Sequence, residues 1–246
     1  MSLLKNARAG RGRLIAAAMA LGLAWPLCGH AGDGYMDPDK LASGMAAGII
    51  NQLQASPLFA AIFKYHPGSQ DILRARLTEV AKGPVAQLQQ NAAAEEAQWV
   101  AGYYFPDISL ASDRAIFDVL KNDQAVAQKY AQNPDMCVAY FSGSISAIRT
   151  AEAQAVAQRL SAVRAGIVET AATNPTRRPP PASRDEIVTK VVNAYKTLGY
   201  DPQHLGLLPT LATLPATESC TVQTEYTNAL VSLGEAQAGY VESIVH

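Results

Sequence analysis

Beyond residue 31, apolar side chains recur at intervals of three and four along almost the whole chain, and that spacing admits little but helix. Ile145, Ile148, Val156, Leu160, Val163 and Ile167 line one face of a long segment, with Arg149, Glu152, Gln158 and Arg164 around it. Val222, Tyr226, Ala229, Leu233, Ala236, Tyr240 and Ile244 step in heptad fashion through the last segment. Ile187, Val188, Val191, Val192, Tyr195 and Leu198 are mostly β-branched, which favours strand, but their spacing favours helix. No run alternates with period two, and no Asn-Gly or Asp-Gly turn joins two apolar runs. The expectation is an all-α, bundle-like or orthogonal domain of about seven or eight helices.

Start and stop signals agree with that period. Asp37-Pro38 and Ser56-Pro57 read as N-caps followed by proline, Ser69 and Ser112 as helix starts with an acid in the first turn, and Gly83-Pro84 and Asn133-Pro134 as separators of helices. Gly199 follows Leu198 as a helix stop. Pro106 marks an expected turn at the end of a helix.

The N-terminus obeys other rules. Lys5, Arg8, Arg11 and Arg13 precede an apolar run from Leu14 to Leu27, with no acidic residue among them. A spanning helix needs about 20 apolar residues. A secretory signal needs roughly 7–15 after a basic start, then small residues at the cut. Gly29 and Ala31 supply these, so residues 1–31 are expected to be a signal peptide cleaved before Gly32. The protein would then be periplasmic or secreted, without stable membrane insertion. Trp25 and Pro26 before Cys28 do not suit lipoprotein processing.

Four of the 20 basic residues lie in that segment, which leaves 16 basic against 21 acidic ones. Such a balance argues against nucleic acid and against anionic lipid as partners. Two cysteines remain, Cys137 and Cys220, and an oxidising compartment pairs them. Each follows a helix-start signal, so the bridge would pin the starts of two helices. Residues 32–246 are read as a single helical domain. The stretch 173–183, TNPTRRPPPAS, cannot be helix and is either a subdomain linker or a surface loop.

Recognisable chemistry is scarce. No His-x-x-x-His, His-Glu-x-x-His or Cys-x-x-Cys spacing supports a metal. The acidic run from Asp33 fails as a calcium loop, because counting from Asp37 puts Ala42 and Gly48 where Gly and Glu are required. Nucleophile elbows, phosphate loops and dinucleotide fingerprints are missing. His66 and His204 sit at expected helix termini, where a capping or exposed role is commoner than catalysis. No cofactor is expected. The candidate binding residues are Trp99, Tyr103 and Tyr104, aromatic anchors with polar tips, and Arg177 and Arg178 on the proline-rich stretch. The competing readings are core filler for the aromatics and a solvated loop for the arginines.

The stretch Ala111-Ser112-Asp113, an amphipathic helix, then Asn133-Pro134-Asp135-Met136-Cys137 resembles exported proteins of Gram-negative bacteria, and the resemblance implies no activity. Exported helical chorismate mutases also combine a signal, helices and a disulfide. They need several convergent basic residues, and no helix here has that spacing. The favoured expectation is a non-enzymatic exported protein that binds another protein, as an inhibitor, immunity or envelope accessory factor. The alternatives are an all-helical enzyme of lyase or isomerase type with a dispersed site, and a secreted effector.

Overall fold

A computed structural model describes residues 37–180 and 183–245. The expected signal segment, with Cys28 and the cut before Gly32, lies outside the described residues. Among those described, the chain is entirely helical, with ten α-helices and three 3₁₀ segments. In chain order the α-helices are α1 (Pro38–Leu53), α2 (Pro57–Tyr65), α3 (Ser69–Ala81), α4 (Leu88–Leu110) and α5 (Asp113–Lys129). They continue with α6 (Pro134–Phe141), α7 (Ala151–Thr173), α8 (Arg184–Thr197), α9 (Ala216–Ser232) and α10 (Glu235–Val245). The 3₁₀ segments are Val85–Gln87, Ser144–Ala147 and Pro202–Thr213.

This exceeds the expected seven or eight, and the excess has local causes. The heptad-like C-terminal segment is broken at Gly234, whose φ of 79° is a left-handed stop between α9 and α10. Ile145 and Ile148 share the period of α7 but precede it. Gly143, at φ 80°, starts a 3₁₀ turn there, and Thr150 caps α7 by accepting from the amide of Ala153. Proline had the opposite outcome, because α4 runs straight through Pro106.

Several caps form as the residue types demand. Asp37 accepts from the amide of Asp39, Ser112 from Ala115 and Asn133 from Met136. Two do not. Gly68 holds the cap position of α3, and the Ser69 hydroxyl donates instead to the carbonyl of Ile62. Ser56 occupies the cap position of α2 but turns its hydroxyl to Ser161, 2.7 Å away on α7.

Packing builds two apolar clusters. The larger one draws on α1, α2, α3, α4, α5, the second half of α7, α8, α9 and α10, and buries Leu53, Phe59, Ile62, Tyr195 and Leu230 completely. The smaller one gathers Val126, Tyr140, Ile145, Val156 and Leu160 around a disulfide between Cys137 and Cys220. The bridge joins the first turns of α6 and α9, as the helix-start signals predict. No single described helix is long and apolar enough to cross a membrane. α1 and α2 pass such a test only as a pair bent by 106°, and both bury their apolar faces in the larger cluster.

Candidate functional site

The two clusters do not close completely against each other. A cavity of about 220 Å³ lies between α4 and α7, capped by the start of α2 and the Gly143–Ser146 turn. Phe59 and Val100 contribute from the larger cluster, Ile145 and Leu160 from the smaller, and Ala97 lies beside Val100 on α4. On α7, residues 154, 157, 158, 161 and 164 face the cavity together because they recur at three- and four-residue steps. Gln154 and Gln158 are exposed and form its rim.

The polar groups of this wall are largely committed. Ser161 accepts from the amide of Leu58 at 3.0 Å and shares a hydrogen bond with Ser56, so α7 holds the start of α2 in place. The Gln154 side-chain amide donates to the carbonyls of Ser146 and Ile148, each at 3.0 Å, and fixes the 3₁₀ turn. Two groups are exceptions: Arg164, whose buried Nε has no hydrogen-bond partner among the described residues, and Glu96. Glu96 is 4% exposed on α4, and no hydrogen bond or ion pair reaches it among the described residues. Burial alone pushes its carboxyl from 4.5 up to about 8, so near neutral pH it is mostly protonated.

Arg164 lies at the end of this cavity and also lines a second one of about 100 Å³ with Tyr104, Asp123, Gln223 and Glu242. Its guanidinium lies 5.7 Å from the centroid of the Tyr104 ring. Tyr104 is buried, and burial raises its hydroxyl well above the usual phenol range against the pull of Arg164. Tyr140 donates to Asp123 and accepts from Asn122, and Tyr226 donates to Glu242 at 3.0 Å. The second cavity is thus walled by a tyrosine–carboxylate network.

Of the residues singled out from the sequence, Trp99 and Tyr103 pack ring against ring with centroids 5.0 Å apart, but the set does not converge on one site. Trp99 is 2% exposed, stacks on Phe59 with planes 5° apart, and donates from its indole nitrogen to the carbonyl of Ser69. Tyr104 is buried and Tyr103 half-buried, its ring 5.0 Å from that of His66. Arg177 is exposed, whereas Arg178 is drawn inward onto Asp113. His66 and Asp107 lie 2.8 Å apart, and burial pushes the Asp107 carboxyl up against the opposing pull of that ring. His204 meets Glu225 at 2.7 Å, which raises the imidazole pKa. Neither histidine lines either cavity. No group of three or more potential metal-ligating side chains occurs among the described residues.

Glu96 escaped the sequence reading because Glu95 and Glu96 stand in an ordinary alanine-rich amphipathic stretch. The available signal was Glu96 sharing the face of Ala92, Trp99, Val100 and Tyr103, which would bury it. Comparison of the chain with family models, with curated proteins and with solved structures found no match.

Proposed function

We propose that this chain is an exported, non-enzymatic binding protein whose ligand is a small, largely apolar molecule held in the cavity between α4 and α7. The observation that carries the reading is an apolar cavity with one unpaired carboxyl buried in its wall. Leaving an ionisable group buried and unpaired costs several kcal/mol, and such groups in apolar cavities mark sites that bind. Scaled from benzene in an apolar cavity of about 150 Å³, the space suits roughly nine non-hydrogen atoms. The disulfide is compatible with export.

The enzymatic alternative draws on the smaller cavity, where Asp123, Glu242 and Arg164 converge. Its volume of about 100 Å³ suits a few waters or an ion better than a metabolite. Its carboxylates already accept hydrogen bonds from Tyr140 and Tyr226. Size and satisfaction both favour the binding reading. Binding of another protein, the sequence's expectation, draws no equivalent support from the aromatic cluster, since Trp99 and Tyr104 are buried.

Trp99 supplies the assay. It is the only tryptophan beyond the expected signal and stacks on Phe59, which lines the cavity. Titration with toluene is expected to shift its emission and raise Tm, because a ligand that binds only the folded state stabilises it by mass action. Ala157→Phe, which fills the cavity from α7, should abolish both effects while the protein stays folded. No change in emission or Tm at saturating toluene would overturn the reading.

A further inference from the structure

We infer that the cavity between α4 and α7 selects a small aryl- or alkylamine, whose ammonium pairs with Glu96 while its hydrocarbon fills the space beside Phe59 and Val100. This rests on the binding reading above and specifies its ligand class. The starting point is a mismatch of charge. Glu96 is the acidic group of this cavity wall, and no lysine or histidine lines it. Apart from Arg164, its neighbours there are apolar side chains or neutral amides and hydroxyls, of which Ser56, Ser161 and Gln154 are committed elsewhere. A buried carboxylate is stable only when a cation meets it. Among the described residues no cation forms an ion pair with Glu96, so a ligand can supply one.

Among the described residues Arg164 is the one cation on the same wall, and its position decides whether an ammonium is tolerated. Its guanidinium lies against the Tyr104 ring and borders the second cavity, where Asp123 and Glu242 stand. Its charge therefore acts toward that acidic side, and it takes no part in the shift of Glu96, which burial alone produces. An amine entering past Gln154 and Gln158 meets the Phe59 ring as well as the carboxyl. Both groups favour a cation.

The pairing has a stoichiometric signature. Below about pH 8 the empty site holds a protonated Glu96. An ammonium ligand that pairs with the carboxylate displaces that proton to solvent, so each binding event releases up to one proton. A neutral alcohol of the same shape releases none.

The test is calorimetric titration of the protein at pH 6.5 with phenethylamine, 2-phenylethanol and 3-phenylpropionate, in two buffers of different ionisation enthalpy. Phenethylamine is expected to bind at least tenfold tighter than 2-phenylethanol and to release close to one proton. Glu96→Gln should erase the preference and the proton release while retaining 2-phenylethanol binding. That retention shows a folded, open cavity. Equal affinity for amine and alcohol, or tightest binding of 3-phenylpropionate, would overturn the amine assignment and leave the binding reading standing. If none of the three binds, both fall.

Discussion

The larger apolar centre, around Leu53, Phe59 and Tyr195, and the smaller one, around Cys137 and Ile145, are held by different forces. The larger buries whole aliphatic and aromatic side chains from nine helices and holds no covalent link. At roughly 1.5–3 kcal/mol for each large side chain fully removed from water, it has ample stabilisation to offset chain entropy. The smaller is built from α6, a 3₁₀ turn, the end of α5 and the first half of α7. α6 spans only eight residues, too few to persist alone, so packing and the bridge to α9 must hold it. A cavity forms where these two centres meet because the short 143–146 turn cannot fill the space that a continuous helix would. The contrast predicts a graded set of responses.

The largest effect is expected at the junction. The folded protein keeps a proton on Glu96 between pH 4.5 and about 8, where the unfolded chain has released it. Stability from this group is therefore full below pH 4.5 and is lost as pH rises through about 8. The loss reaches up to roughly 5 kcal/mol by linkage. Urea unfolding at pH 5 and pH 9 measures it, and Glu96→Gln should remove most of the difference. If Glu96→Gln keeps the full slope, the junction is wet and the two centres are not separated by a dry cavity.

Next comes the bridge. With its cysteines 83 positions apart, its removal by Cys137→Ser with Cys220→Ser should cost roughly 4 kcal/mol through the unfolded chain. The contrast predicts where the loss appears first. Hydrogen exchange should speed up in α6 and the start of α7 while α1 to α3 keep their protection. Uniform loss of protection would show one cooperative core instead of two.

How much of this was legible in the sequence follows from which interactions are local. The helices and the caps at Asp37 and Ser112 depend on residues within four positions, and the three-and-four spacing with its start signals announced them. The bridge was legible because the apolar, basic-led N-terminus implied an oxidising compartment. Ser56 misled because its hydroxyl bonds Ser161, 105 residues away, and nothing local records that preference. Pro106 misled because α4 simply continues through it. Glu96 went unseen because its environment is made by α2, α7 and the 143–146 turn, and a carboxyl's burial depends on all of them at once. Arg178 was noticed for its proline-rich setting, but its partners lie more than 60 residues back in the chain.

A smaller effect is expected where α10 crosses the start of α5. Gly239 is buried, and a Cβ there would lie 2.8 Å from the Asp113 Cα. Backbone cannot yield as a flexible side-chain tip can, so Gly239→Ala should force the helices apart at a cost of roughly 1–3 kcal/mol. Thermal unfolding checks the size. Faster exchange in α10 with α6 unchanged would place the damage in the larger centre alone. A neutral substitution would mean the two helices slide freely, and the larger centre would then be softer than its burial implies.

The smallest predicted effect concerns the strap formed by the proline-rich segment, which leaves α7 and lies across the α4–α5 junction. Thr176 donates its amide to the carbonyl of Leu110 at 2.7 Å. Arg178 donates to the Asp113 carboxylate through two nitrogens, at 3.0 and 2.6 Å, and to the carbonyls of Ser109 and Ala111. These carbonyls belong to the last turn of α4 and the residue after it, where helical partners run out. The arginine therefore serves as their remote cap, and its side chain is only 9% exposed. Arg178→Ala removes donors from these carbonyls and should cost about 1–2 kcal/mol. Arg178→Lys keeps the charge but loses the planar fork, so it should recover less than half of that. Arg177, exposed one residue earlier, is the control, and Arg177→Ala should stay within about 0.5 kcal/mol of the parent. Because the pair is shielded, high salt should weaken it little, and proteolysis at 175–180 should accelerate only in the Arg178 variants. Equal effects at both arginines would reduce the strap to a solvated loop. Loss confined to Arg178 would show that the larger centre is closed at this end by hydrogen bonds to a segment the disulfide does not reach.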